Sequence, residues 1–226
     1  MDAVRFMKMD FMKMKTQMKF IALLVLVVII FAGEMMGKTM GNWSIMYMIF
    51  MGIILCATPF SIDSMVADGF IKLLPAGARQ RVFGRYMFAA VFLAACTVVG
   101  SLSSISYILK GEITVGHILT YGVIFFSIGL CINSLQYVFS YFFEIKNQQW
   151  LSIIRLLPAF IFFFGGSILV DMVGEMQEKT INKIGMALNY VMAHQGAAAF
   201  MLLAAAVIFT MFCADICGKR EEQKEA

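Results

Sequence analysis

Long apolar runs alternate with short, mostly basic polar stretches along this chain. Six runs are apolar enough to be read as membrane helices: 20–37, 43–61, 87–109, 118–142, 156–173 and 197–217. A bilayer core takes about 20 mostly apolar residues per helix. The runs are continuous rather than alternating, which argues against a barrel. The pattern therefore predicts an all-α integral membrane protein with six transmembrane helices. In the fifth run only fifteen residues separate Arg155 from Asp171, and Pro158 is among them. This run is expected to be tilted, kinked or partly re-entrant.

The polar stretches have their own patterns. In residues 1–19, Val4, Met7, Phe11, Met14 and Met18 recur at helical spacing, with Lys8, Lys15 and Lys19 on other faces. Such a segment reads as an amphipathic helix in the inner headgroup layer that turns into the first span. A basic flank that only sets orientation is the alternative. The largest insert is 63–86, a polar and basic stretch between the second and third runs. The loop after the fourth run is short, around 144–150. Outer loop 174–195 carries Met176, Ile181, Ile184, Leu188 and Met192 at near-helical intervals, so a short amphipathic helix is expected to cap that face. Residues 218–226 read as a solvated tail. The transmembrane domain thus runs over 20–217, with no linker and no second domain.

Composition agrees with this reading. The chain is 61% hydrophobic with a mean hydropathy of +0.84, whereas soluble domains are about 45–50% apolar. Lys and Arg favour the cytosolic side of a membrane. With the N-terminus inside, fourteen of the eighteen fall on inner segments. Only Lys38, Lys110, Lys179 and Lys183 fall outside. Both termini are therefore expected in the cytosol, in a multi-pass protein of the cell membrane. The net charge of +4 reports that orientation, and nucleic acid is not an expected partner. The five cysteines lie in apolar runs without paired spacing and read as small buried hydrophobes. The twenty methionines suit either an adaptable pathway or ordinary apolar filling. No cleavable signal peptide is expected, because the first run is long enough to span.

Catalytic chemistry is not visible. The two histidines, His117 and His194, fall at predicted outer helix ends. There is no HExxH metal helix and no GxxxxGK[ST] phosphate loop, so any ATP-driven work needs another subunit. Gly165-Gly166-Ser167 does not make an intramembrane protease nucleophile. Ionisable groups in mid-membrane are nearly absent, which counts against an ion-coupled transporter. Polar groups do line one helix face in the fourth run, at Asn133, Tyr137, Ser140 and Glu144, with Gln136 beside them. They read equally as a translocation wall or as interhelical hydrogen bonding, worth about 0.6–2 kcal/mol per bond. Ser101, Ser103, Ser104 and Ser106 in the third run carry the same two readings.

The ordered set of features resembles the permease subunits of the ABC type-2 exporter family, as in bacterial peptide and drug exporters. That family carries a cytosolic segment between spans two and three, roughly Leu-Pro-x-Ser-Arg-x-x-[Ile/Val]-x-x-Gly-Lys-Tyr. Here Leu74-Pro75 opens the segment, Arg79 supplies a basic residue, Val82 lies near the aliphatic position, and Gly84-Arg85-Tyr86 closes it with Arg for Lys. Gly77, Ala78 and Arg81 depart from the Ser, Arg and aliphatic positions. The basic start of the chain also resembles the family's elbow helix, and the likeness extends over essentially the whole sequence.

The resemblance implies a partner motor. Such a subunit works with separate ATPase subunits that bind ATP and Mg, and with a second copy or a related permease; this chain itself would bind no cofactor and no metal. A coupling helix is expected at 64–74, ended by Pro75. Phe70, Ile71, Leu73 and Leu74 would offer the motor an apolar patch, and Asp63, Asp68 and Lys72 would set register by charge. Arg79, Arg81 and Arg85 would anchor the start of span three in anionic headgroups or touch the motor. Amphipathic or apolar cargo is expected, peptides above all. The competing expectations are a non-transporting scaffold, sensor or immunity protein, and then a secondary transporter.

Overall fold

The computed structural model describes residues 3–15, 41–65, 77–102, 108–109, 111, 114–143 and 194–225. Among these residues every regular element is a helix: α1 (Ala3–Met14), α2 (Gly41–Cys56), α3 (Thr58–Met65), α4 (Ala78–Leu102), α5 (Val115–Phe142) and α6 (Gln195–Glu225). The first and fifth predicted spans, positions 66–76 of the polar insert and the outer loop up to residue 193 lie outside the described residues.

Helices α4, α5 and α6 are each long and apolar enough to cross a membrane. They coincide with the third, fourth and sixth runs, but two of them overshoot. Helix α4 begins at Ala78, inside the basic stretch, because nothing in Ala78–Tyr86 breaks a helix where polar residues begin. Helix α6 continues through Lys219, Arg220 and Lys224, so the expected tail is a helical extension of the span. The second run is interrupted instead. Ala57 separates α2 from α3, with Ala57 N–H bonding to Ile54 O (3.2 Å) and Phe60 N–H to Ala57 O (3.1 Å). Pro59 explains the break, since it brings no N–H to the ladder and crowds the preceding turn.

Side chains at the crossings are small. A Cβ on Gly100 of α4 would sit 2.8 Å from Ile45 Cα, and the Ser44 hydroxyl donates to Gly100 O at 3.1 Å. A Cβ on Gly84 would lie 2.6 Å from both Ala3 O and Phe6 Cβ. Without a side chain there, α1 rests directly on the α4 backbone, as small residues allow in membrane bundles. The packed interior runs through Ile45, Ile49, Ile53, Phe88, Leu93, Leu130 and Tyr137. Apolar residues such as Val98, Leu119, Phe200, Ile208 and Phe212 face outward, as lipid-facing positions do. Thr114 caps α5, its hydroxyl accepting from His117 N–H at 3.3 Å. Gly111 takes a positive φ of 71° in the turn before it.

Helix α1 docks on protein. Its buried residues are Phe6, Asp10 and Met14, with Met7 and Phe11 packed partly against the core. Phe11 meets Phe88 of α4 edge to face at 4.8 Å. Val4, part of the predicted apolar stripe, is exposed instead. The buried face is thus rotated towards a carboxylate, Asp10.

Candidate functional site

Charged side chains gather at one end of the bundle, opposite the Ser44–Gly100 crossing and the Thr114 cap. There α1, the end of α3 and the start of α4 meet around four ionic groups. Lys13 Nζ lies 3.1 Å from Asp10 Oδ1 and 2.5 Å from Asp63 Oδ1. Arg85 lies 3.7 Å from Asp10 Oδ2 through Nε and pairs with Asp63 Oδ2 through Nη2. Each cation therefore touches both carboxylates, in a ring of alternating sign with no net charge.

The ring is largely withdrawn from solvent. Side-chain exposure is 1% at Asp10, 13% at Asp63, 15% at Lys13 and 13% at Arg85. Removing charges from water costs several kcal/mol per ion, and close opposite charges offset that cost. Burial pushes the Lys13 ammonium below its ordinary pKa, while the Asp10 carboxylate beside it pushes back. The guanidinium of Arg85 also stacks 4.2 Å above the Phe60 ring, a favourable cation–π contact. Phe60 in turn meets Tyr137 at 5.0 Å and Tyr141 at 5.2 Å, both edge to face. An aromatic floor from α3 and α5 thus lies under the charges.

The structure brings together only some of the predicted residues of the polar insert. Asp63 and Arg85, near the two ends of the polar insert, are brought into direct contact. Arg79 is more exposed and pairs with Asp215 of α6, which Lys219 also approaches at 2.7 Å. Arg81 lies one turn of α4 before Arg85, half-buried. Asp68, Phe70, Ile71, Lys72, Leu73, Leu74 and Pro75 lie outside the described residues.

On α5, Asn133, Gln136 and Tyr137 are buried and Ser140 is half-buried. Tyr137 donates from its hydroxyl to Cys56 O at 2.9 Å, where the break before α3 frees carbonyls. Ser140 bonds back to Gln136 O on its own helix at 2.8 Å. Among the described residues, Asn133 Oδ1 and both amide atoms of Gln136 are buried without a hydrogen-bond partner. Such groups cost stability and call for a reason. Ser134, which the sequence reading passed over, joins α5 to α6 through Thr210 at 3.0 Å.

Asp10 and Lys13 were also missed as a site. Their signal was present but faint: Asp10 is the only acidic residue in 3–19, four positions from both Phe6 and Met14. An acid on the inward face of a short amphipathic helix asks for a buried cation.

The comparison with known families matches the description ABC-2 family transporter protein over residues 6–217. The chain belongs to the ABC-2 transporter family. No curated protein and no solved structure matches it. The match begins inside α1 and ends within α6, so it takes in the charge ring and all three long apolar helices. This ABC-2 family member is accordingly a multi-pass membrane protein of the permease type. Among its described residues, no group of three or more His, Cys, Asp or Glu is placed to hold a metal ion.

Proposed function

We propose that this chain is the membrane subunit of an ATP-driven exporter, powered by separate ATPase subunits and paired with a second copy or a related permease. The family match over residues 6–217 carries the reading. The sequence supports the division of labour, since it holds no phosphate loop of its own. The motor supplies ATP and Mg chemistry. The chain's contribution is mechanical: the polar insert takes the push, and the helices around it transmit that push.

The proposed contact with the motor is Phe70, Ile71, Leu73 and Leu74, with Asp68 and Lys72 setting register and Pro75 ending the helix; Asp63, held by Lys13 and Arg85, stands at the base of the insert and is left out of that contact. The inner face of α5, with Asn133, Gln136, Tyr137 and Ser140, is the proposed wall of the pathway. Amphipathic peptides are the proposed cargo, since ionisable groups are nearly absent from the apolar runs that would line a pathway. The N-terminal helix is the proposed elbow, and the charged end of the bundle is the proposed cytosolic side, with both termini there.

Reconstitution tests the reading. Vesicles holding this chain and its ATPase should move an amphipathic peptide only with ATP present. Movement driven by a proton gradient without ATP would favour a secondary transporter. No movement under either condition would favour a scaffold, sensor or immunity protein.

A further inference from the structure

We infer that Asp10, Lys13, Asp63 and Arg85 form a clasp that makes α1 move with the polar insert when the motor pushes on it. This rests on the permease reading and goes beyond it. The four are positioning residues.

Connectivity is the first ground. Asp63 stands where the chain enters the insert, and Arg85 stands where it leaves towards the α4 span. Their pairing closes the insert at its base, so its two ends cannot separate without breaking a buried ion pair. The same two side chains hold α1, Asp63 through Lys13 and Arg85 through Asp10. Three elements distant in sequence thus share one ring.

Energetics is the second ground. A surface ion pair would yield easily, since exposed pairs contribute little. This ring is buried, and pulling one member out leaves an uncompensated charge in a poorly hydrated site. Displacing the ring as a unit costs no such exposure. Apolar contact strengthens the attachment: α1 lies on the bare backbone at Gly84, next to Arg85, and Phe11 packs on Phe88. Movement of the insert base therefore carries α1 along in preference to tearing away from it.

The test cuts the link between α1 and the insert without leaving a lone charge. Asp10→Asn with Lys13→Gln removes one acid and one base and preserves the Asp63–Arg85 pair. Asp63→Asn with Arg85→Gln cuts the same link from the other side and preserves Asp10–Lys13. A bimane probe on Met12→Cys, an exposed position on α1, reports helix movement. The half-buried thiol of Cys131 is replaced by Ala in all samples.

With the native ring, in the complex with its motor, bimane emission should shift when ATP and vanadate are added. In either cut variant the shift should be lost, while without vanadate the motor still hydrolyses ATP. A merely structural role would lower thermal stability and leave the shift in place. Persistence of the shift in both cut variants overturns the clasp, as does a native ring that shows none while ATP is hydrolysed. A native chain that binds no motor refutes the permease reading itself, and the clasp with it.

Discussion

Replacing Arg85 by Gln takes one cation out of a ring whose two carboxylates are 1% and 13% exposed. Lys13 is then left alone to balance Asp10 and Asp63, and the buried site carries a net negative charge. Two unit charges about 4 Å apart interact by roughly 4 kcal/mol at an effective dielectric of about 20. Measured losses for breaking one side of a buried pair are about 3–5 kcal/mol. The cation–π contact with Phe60 adds to the loss, about 0.5–2 kcal/mol. The expected cost of Arg85→Gln is therefore about 4 kcal/mol. At roughly 2–4 °C per kcal/mol for a chain of this size, the unfolding midpoint should fall by about 10 °C. Adding Asp63→Asn should restore most of that stability, because the remaining Asp10–Lys13 pair is again neutral. Thermal unfolding of the purified protein in nanodiscs, followed by intrinsic fluorescence, measures both. A cost under about 1 kcal/mol for Arg85→Gln, in the range of an exposed pair, would refute the burial argument. Costs that simply add in the double variant would refute the coupling. Exchanging the two residues, Asp63→Arg with Arg85→Asp, should not rescue, because it sets like charges against Lys13 and Asp10.

Three further outcomes are expected. Gly84→Val should cost about 1–3 kcal/mol by overpacking, and should increase protease cleavage of α1, since Ala3 and Phe6 occupy the space of a new side chain; unchanged protection would contradict the close crossing. Gln136→Leu should stabilise the fold by about 1–3 kcal/mol, by relieving buried unpaired polar atoms, and so raise the unfolding midpoint, while slowing ATP-dependent peptide export; a lower midpoint would mean that the amide is satisfied in the fold. Phe70→Asp should leave insertion intact and uncouple ATP hydrolysis from transport, so normal export by that variant would remove Phe70 from the motor contact.

Hydropathy revealed the membrane character and placed the α4, α5 and α6 spans, because length and apolarity are properties of a single segment. It did not place their ends. The start of α4 at Ala78 and the continuation of α6 past Lys219 follow from uninterrupted helix formation, which a hydropathy window does not register. The break at Ala57 was written in Pro59 but was hidden inside an apolar run. On α5, the spacing of Asn133, Tyr137 and Ser140 was visible, whereas the reach of Tyr137 to Cys56 O required two helices packed together. The charge ring was the least legible feature. Lys13 and Arg85 read as topology signals when counted alone, and Asp10 as a stray polar residue. Only packing α1 beside α4 and the end of α3 brings their opposite charges together.

Purification of the chain from its native membranes under mild detergent tests the permease reading most directly. An ATPase subunit should co-elute with it in constant proportion, and the complex should hydrolyse ATP. Elution of the chain alone, with no ATP hydrolysis in its fractions, would contradict a permease driven by an external motor.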